Sequence, residues 1–102
     1  MMFDPDAPVS KARGLSYLHW LQTNINVSTN TSVNEDTNVA YQGPAPPRGS
    51  GDHNYIFSLL KQKNKIDAGT NYDRTAFDPV AFVNKYGLSK FAERMFIASN
   101  KN

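Results

Sequence analysis

Three features of the sequence predict a mainly β fold with one short helix near residues 78–86. Residues 17–25 and 53–62 are rich in strand formers that alternate with period two, as half-buried strands do. Around them Pro, Gly, Asn and Asp cluster at densities that break regular structure. One segment carries a full helix signature, with Asp78 as N-cap, Pro79 at the first helical position and Gly87 just past the end.

In chain order, Met1-Met2-Phe3 reads as the last part of a strand whose beginning is absent, and residues 4–16 read as a surface loop. In the first long strand, alternation places Leu18, Trp20 and Gln22 on one face and Tyr17, His19 and Leu21 on the other. Residues 26–38, mostly Asn, Thr and Ser with Glu35-Asp36, are expected to form a polar loop outside the core. Val39-Ala40-Tyr41 is a short apolar patch. The Pro/Gly-rich stretch 43–52 cannot hold a strand ladder and is expected as an extended loop. From His53 onward Tyr55, Phe57 and Leu59 point one way, while Ile56, Ser58 and Leu60 point the other. A charged loop over 61–75 follows. In the helix, Phe82 and Tyr86 stand four apart and Val80 and Val83 three apart, giving a stripe that can face a sheet. Phe91 to Ala98 suits a helix capped by Ser89 or a buried strand.

At 102 residues the chain has room for a single core. Its 11 Lys and Arg against 9 Asp and Glu give a net charge of +2, too small to indicate nucleic-acid binding. There is no cysteine, so disulfides and thiolate metal sites are excluded. No apolar run approaches the length of a membrane span, and Asp4 follows three apolar residues where a signal peptide needs a longer stretch. A cytoplasmic location is therefore expected. The sequons starting at Asn26 and Asn30 then read as compositional accidents.

Two histidines are the natural candidates for chemistry, and each lies beside aromatics on an expected strand, in Leu18-His19-Trp20 and Asp52-His53-Asn54-Tyr55. Each taken alone reads as a packed, hydrogen-bonded histidine. Asp4 and Asp6 read as turn residues that accept local backbone N–H bonds. Pro44-Ala45-Pro46-Pro47 fits a polyproline ligand or a stiff loop equally well. Asp4, His19 and His53 could alternatively supply the two imidazoles and one carboxylate of a metal-dependent hydrolase.

The segments carry a joint pattern. Asp-Pro-Asp-Ala-Pro at 4–8, Leu-His-Trp-Leu at 18–21, and Tyr-x-Gly-Pro-x-Pro-Pro-x-Gly-x-Gly-x-His-x-Tyr at 41–55 occur in one order. This closely resembles the phosphatidylethanolamine-binding protein family, which includes the Raf kinase inhibitor proteins. Phe77, Phe82, Tyr86 and Leu88 resemble the family's helix and the Leu that follows it.

The resemblance implies a β-sandwich-like fold with a small pocket for anionic groups such as a phosphate or a phosphorylated head group. It implies a non-enzymatic binding module, without cofactor or metal, that regulates kinases or proteases through protein contacts. Asp4, Pro8, His19, His53 and Tyr55 match pocket positions, Ala45, Pro46 and Pro47 match the adjoining loop, and Gly49 and Gly51 match its turn glycines. The chemistry is compatible, because imidazole, phenol and backbone N–H groups can hold an anion without Lys or Arg. Asp4 is best used to orient a histidine, since a bare carboxylate repels phosphate.

The sequence departs from the family at Asn54, where an Arg is usual, and after Leu88, where Lys90-Phe91-Ala92-Glu93-Arg94 replaces a run of small residues. The strands that precede Asp-Pro-Asp-Ala-Pro in the family, and the closing helix of many eukaryotic members, have no counterpart here. The expectation is an incomplete sandwich, with 1–102 as one truncated domain. Its bland alternative is a degenerate fragment without a stable pocket.

Overall fold

The computed structural model describes residues 1–25 and 36–100. They form a five-stranded sheet in the order β3-β2-β1-β4-β5, with every neighbouring pair antiparallel. The strands are β1 (Met2–Asp4), β2 (Tyr17–Thr23), β3 (Asp36–Val39), β4 (His53–Lys61) and β5 (Ser89–Ala98). Two short helices, α1 (Pro8–Lys11) and α2 (Pro79–Lys85), complete the regular elements. No helix among the described residues is long and apolar enough to cross a membrane.

β1 is the shortest strand and occupies the centre. Both its neighbours pair with it, and Met2 and Asp4 are almost completely buried. One face of the sheet packs Met1, Leu18, Leu21 and Val39 against Phe77 and Phe82. Phe82 comes from α2, whose first turn is fixed by Asp78 accepting from the Ala81 N–H at 3.1 Å. Gly87 takes φ 62° just beyond the helix end, a conformation that penalises any residue with a Cβ. Phe77 joins the layer through two backbone bonds with Ser16, of 2.8 and 3.0 Å.

Several sequence expectations change. β1 extends through Asp4, and Pro8 to Lys11 close a helical turn, so 4–16 is not a plain loop; Pro8 supplies the fixed φ that suits a first helical position. Residues 36–38 lie in β3 rather than in a polar loop. The buried amide of Asn38 is satisfied there, accepting from Thr23 Oγ1 at 2.8 Å and donating to the Gly69 carbonyl at 2.7 Å. The rest of the expected loop and both sequons fall outside the described residues. The ambiguous tail is strand β5, paired along its length with β4. In α2, Phe82 and Tyr86 face the sheet while Val80 is 68% exposed, so the apolar stripe is narrower than the spacing indicates.

The face assignment of β2 also changes. Phe3 pairs with Leu18 but Met2 pairs with Trp20, so β2 carries one extra residue at His19. The bulge reverses the alternation beyond it. Leu18 and Leu21 therefore share the core face, while Trp20 shares the face of Met2.

The α2 packing yields a direct comparison. Phe82→Ala removes a buried ring and should cost about 3–5 kcal/mol of unfolding free energy. Val80→Ala, on the exposed side, should change it by less than about 0.5 kcal/mol. Urea denaturation of the two variants checks this.

Candidate functional site

On the face of the sheet away from α2, the loop over 40–52 and the start of α1 enclose a cavity of about 200 Å³. All eight residues matched to the family pocket line it: Asp4, Pro8, His19, Ala45, Pro46, Pro47, His53 and Tyr55. They come from β1, α1, β2, β4 and the loop, so no local segment could form the site alone.

The floor is set by a buried carboxylate–imidazole pair. Asp4 Oδ2 accepts from His53 Nδ1 at 2.7 Å, and Asp4 Oδ1 accepts the backbone N–H of Asp6, also at 2.7 Å. Both oxygens of the carboxylate are thus engaged, and it does not face the cavity bare. The other ring nitrogen of His53, Nε2, lies 2.8 Å from Ser50 Oγ, which donates to the Pro47 carbonyl at 2.6 Å. This chain of bonds ties β1, β4 and the Pro/Gly loop together. The loop turns sharply at Gly49 and Gly51, whose φ values of 77° and 82° lie in the region that disfavours side chains. Asp6 Oδ2 accepts from the backbone N–H of Asn54 at 2.8 Å and from its side chain at 2.9 Å. Asn54, where the family usually carries Arg, therefore serves as a clamp on the Asp-Pro-Asp-Ala-Pro segment.

His19 stands differently. Its Nδ1 is 2.7 Å from the carbonyl oxygen of Gln42, which can only accept, so Nδ1 carries the proton. Nε2 of the neutral ring is then a lone pair, and it becomes a donor only when the imidazole is charged. Burial holds His19 below its ordinary value of 6.5, against the raising effects of the Gln42 bond and the Asp4 charge; Arg74 and His53 add to the lowering. The ring contacts Tyr17 at 4.8 Å and Tyr55 at 5.3 Å between centroids. The Tyr55 hydroxyl is pushed up to about 12 by burial and by Asp4 and Asp6, so it remains a neutral donor at physiological pH. No Lys or Arg lines the cavity among the described residues.

Sequence reasoning passed over three residues. Tyr17 lines the cavity beside His19 and donates to Gln42 Oε1 at 2.7 Å; its period-two spacing from His19 was the available signal. Gln42 donates its backbone N–H to the His19 carbonyl at 2.9 Å and accepts from the His19 ring, yet it occupies an unspecified position of the motif. Arg74 braces both sides, donating to the Leu18 and His19 carbonyls at 3.1 and 3.0 Å and to Ala40 at 2.7 Å. Its distance of more than fifty residues from His19 leaves no local signal.

The alternative metal set is not assembled. Among the described residues no three His, Asp or Glu side chains are arranged to hold a metal ion, and Asp4 and His53 spend their facing atoms on each other.

Comparison with known proteins shows what the chain is similar to. The family model for phosphatidylethanolamine-binding protein matches residues 1–101. Protein BROTHER of FT and TFL 1 of Arabidopsis thaliana is 37% identical over 93 residues, covering 88% of this chain and 50% of that protein. Carboxypeptidase Y inhibitor of Saccharomyces cerevisiae is 52% identical over 33 residues, which are 32% of this chain and 15% of that protein. A crystal structure of carboxypeptidase Y inhibitor complexed with the cognate proteinase superposes with a TM-score of 0.82 at 28% identity, covering 98% of this chain and 58% of that one. The chain spans about half the length of the curated plant relatives it matches.

Removing Asp4 leaves the buried His53 ring without its carboxylate. Asp4→Ala should therefore cost roughly 3–5 kcal/mol, and Asp4→Asn, which keeps an acceptor, clearly less. Thermal unfolding followed by circular dichroism measures both.

Proposed function

The chain belongs to the phosphatidylethanolamine-binding protein family, and from that premise we propose that it is a non-enzymatic module, acting in the cytoplasm, whose pocket receives a phosphoryl or phosphorylated head group. The observation that carries this reading is the His19 ring. With Nδ1 committed to Gln42, Nε2 is left to gain a proton when an anion arrives, inside a cavity that holds no fixed cation. An anion stabilises the charged imidazole, and the charged imidazole supplies the donor the anion needs. The Tyr55 hydroxyl, neutral throughout, adds a second donor on the same wall. The volume of about 200 Å³ suits a phosphoryl group with a few attached atoms and is small for a drug-sized ligand. His53 acts through position in this reading, because both of its ring nitrogens are already bonded.

Calorimetric titration tests the pocket. Glycerophosphoethanolamine, a diester of constant charge near neutral pH, stands for the lipid head group, and inorganic phosphate stands for the free group. Binding of either requires His19 to take up a proton held below its ordinary value of 6.5, so affinity should strengthen as pH falls. Above pH 6.5 each unit should weaken diester binding by up to about tenfold. His19→Gln should abolish that slope and weaken binding. No measurable heat with either ligand at millimolar concentration contradicts the pocket reading.

A second reading has its own support. The superposing solved chain is an inhibitor complexed with its proteinase, and the same relative shares the most identical stretch of sequence among those compared above. We propose on this ground a protease as a protein partner. Added to carboxypeptidase Y, the chain should slow peptide hydrolysis in a concentration-dependent way; unchanged hydrolysis at stoichiometric excess contradicts this partner.

A further inference from the structure

Arg74 is not among the residues that line the cavity, yet it is bonded to the two segments that present His19. Its backbone lies along β2: the Leu18 N–H donates to the Arg74 carbonyl at 2.7 Å, and Ser16 and Phe77 exchange two further bonds. The side chain enters where the ladder between β2 and β3 ends. That ladder pairs Thr23 to Leu21 with Asp36 to Val39, and Gln42 then rejoins β2 by donating to the His19 carbonyl at 2.9 Å. Between these two attachments stands the guanidinium. Nη1 donates to the Leu18 and His19 carbonyls at 3.1 and 3.0 Å, and Nη2 donates across to Ala40 at 2.7 Å. The ion pairs among the described residues do not include Arg74, so its donors are used on backbone oxygens.

This use needs the shape of the group and not only its charge. A guanidinium is a rigid planar fork with donors on separate nitrogens, whereas an ammonium radiates its donors from one atom. One arm of the fork holds β2 at the bulge and the other holds Ala40, two residues before Gln42. The spacing between β2 and residues 40–42 is therefore set by the fork. That spacing decides whether the Gln42 carbonyl, 2.7 Å from His19 Nδ1, stays within reach of the ring.

We infer that Arg74 is a positioning residue for His19: by spanning the β2 bulge and Ala40 it keeps the Gln42 carbonyl on Nδ1 and leaves Nε2 free for a ligand. Its consequence for binding rests on the anion reading given above; its control of the tautomer does not. The charge of Arg74 acts separately from its shape. Burial is the main cause that lowers His19, and the Arg74 and His53 charges add to it, against the Gln42 bond and Asp4. Tyr17 and Tyr55 complete the titratable groups packed on the ring. Arg74→Lys keeps the charge and loses the fork, so it isolates the geometric role.

Imidazole nitrogen NMR of the labelled protein without ligand, at neutral pH, reads the tautomer. The unaltered protein should hold the His19 proton on Nδ1. Arg74→Lys should bring both His19 nitrogens toward the averaged position of two exchanging tautomers, while both His53 nitrogens stay in place. Arg74→Ala should do the same, and methylguanidine, but not methylammonium, should return its His19 to the Nδ1–H form. In calorimetric titration, Arg74→Lys should bind glycerophosphoethanolamine roughly tenfold more weakly than the unaltered protein. Retention of the single His19 tautomer in Arg74→Lys overturns the assignment. So does movement of the His53 nitrogens as large as that of His19, because Arg74 would then support the fold at large. Equal restoration by methylammonium overturns it too, since charge alone would suffice. The tautomer comparison uses no ligand: a titration of the unaltered protein without heat ends the anion reading, and the spectra still decide the role of Arg74.

Discussion

The bond between Asp4 and His53 is the constraint on which the rest of the site depends. It links the central strand to β4 at 2.7 Å, in surroundings that leave both residues almost fully buried. Around it polar groups are linked in sequence: the Asp6 N–H turns back on Asp4, Asn54 holds Asp6, and Ser50 holds the far nitrogen of His53. A buried carboxylate–imidazole bond is not in itself a source of stability, because the desolvation of both groups offsets much of the attraction. Its contribution here is position. It fixes the orientation of one imidazole and the height of the Pro/Gly loop, so the cavity is formed before any ligand arrives.

The second imidazole is brought to the same cavity by an irregularity in β2. An extra residue at His19 lets the strand keep Leu18 and Leu21 in the core while turning the His19 ring toward Tyr17 and Tyr55. A regular strand would have had to give up either the leucine packing or the histidine. Arg74, reaching three carbonyls on either side of the bulge, satisfies backbone oxygens that a regular ladder would have bonded otherwise. The two histidines are therefore not equivalent. One is locked at both nitrogens, and the other keeps one nitrogen in reserve.

How much of this was legible in the sequence follows from whether the deciding interactions are local. The helix was, because Asp78, Pro79 and Gly87 specify its ends through bonds within a few residues. That Asp4, His19, His53, Tyr55 and the 45–47 loop meet around one cavity was also legible, through the order of the motifs rather than through any one of them. The bulge was not: it depends on which residues of β1 oppose β2, and period-two alternation assumes a regular ladder. β3 was hidden because Asn38 looks unsuited to a core until Thr23 and Gly69 are seen to satisfy its amide. Phe91 to Ala98 gave no decisive period, and pairing with β4 decided it. Gln42 and Arg74 act through backbone groups, for which side-chain patterns carry no signal.

In the proposed function one histidine of the pocket, His53, is structural and the other, His19, is a proton-gated anion receptor. Imidazole nitrogen NMR on the uniformly labelled protein, with and without glycerophosphoethanolamine, tests it most directly. Without ligand at neutral pH, His19 should show a protonated Nδ1 and a bare Nε2; with ligand, its Nε2 should move to the charged-imidazole position while both nitrogens of His53 stay within the range of the free protein. A His53 that shifts while His19 does not would reverse these two roles and overturn the proposed function.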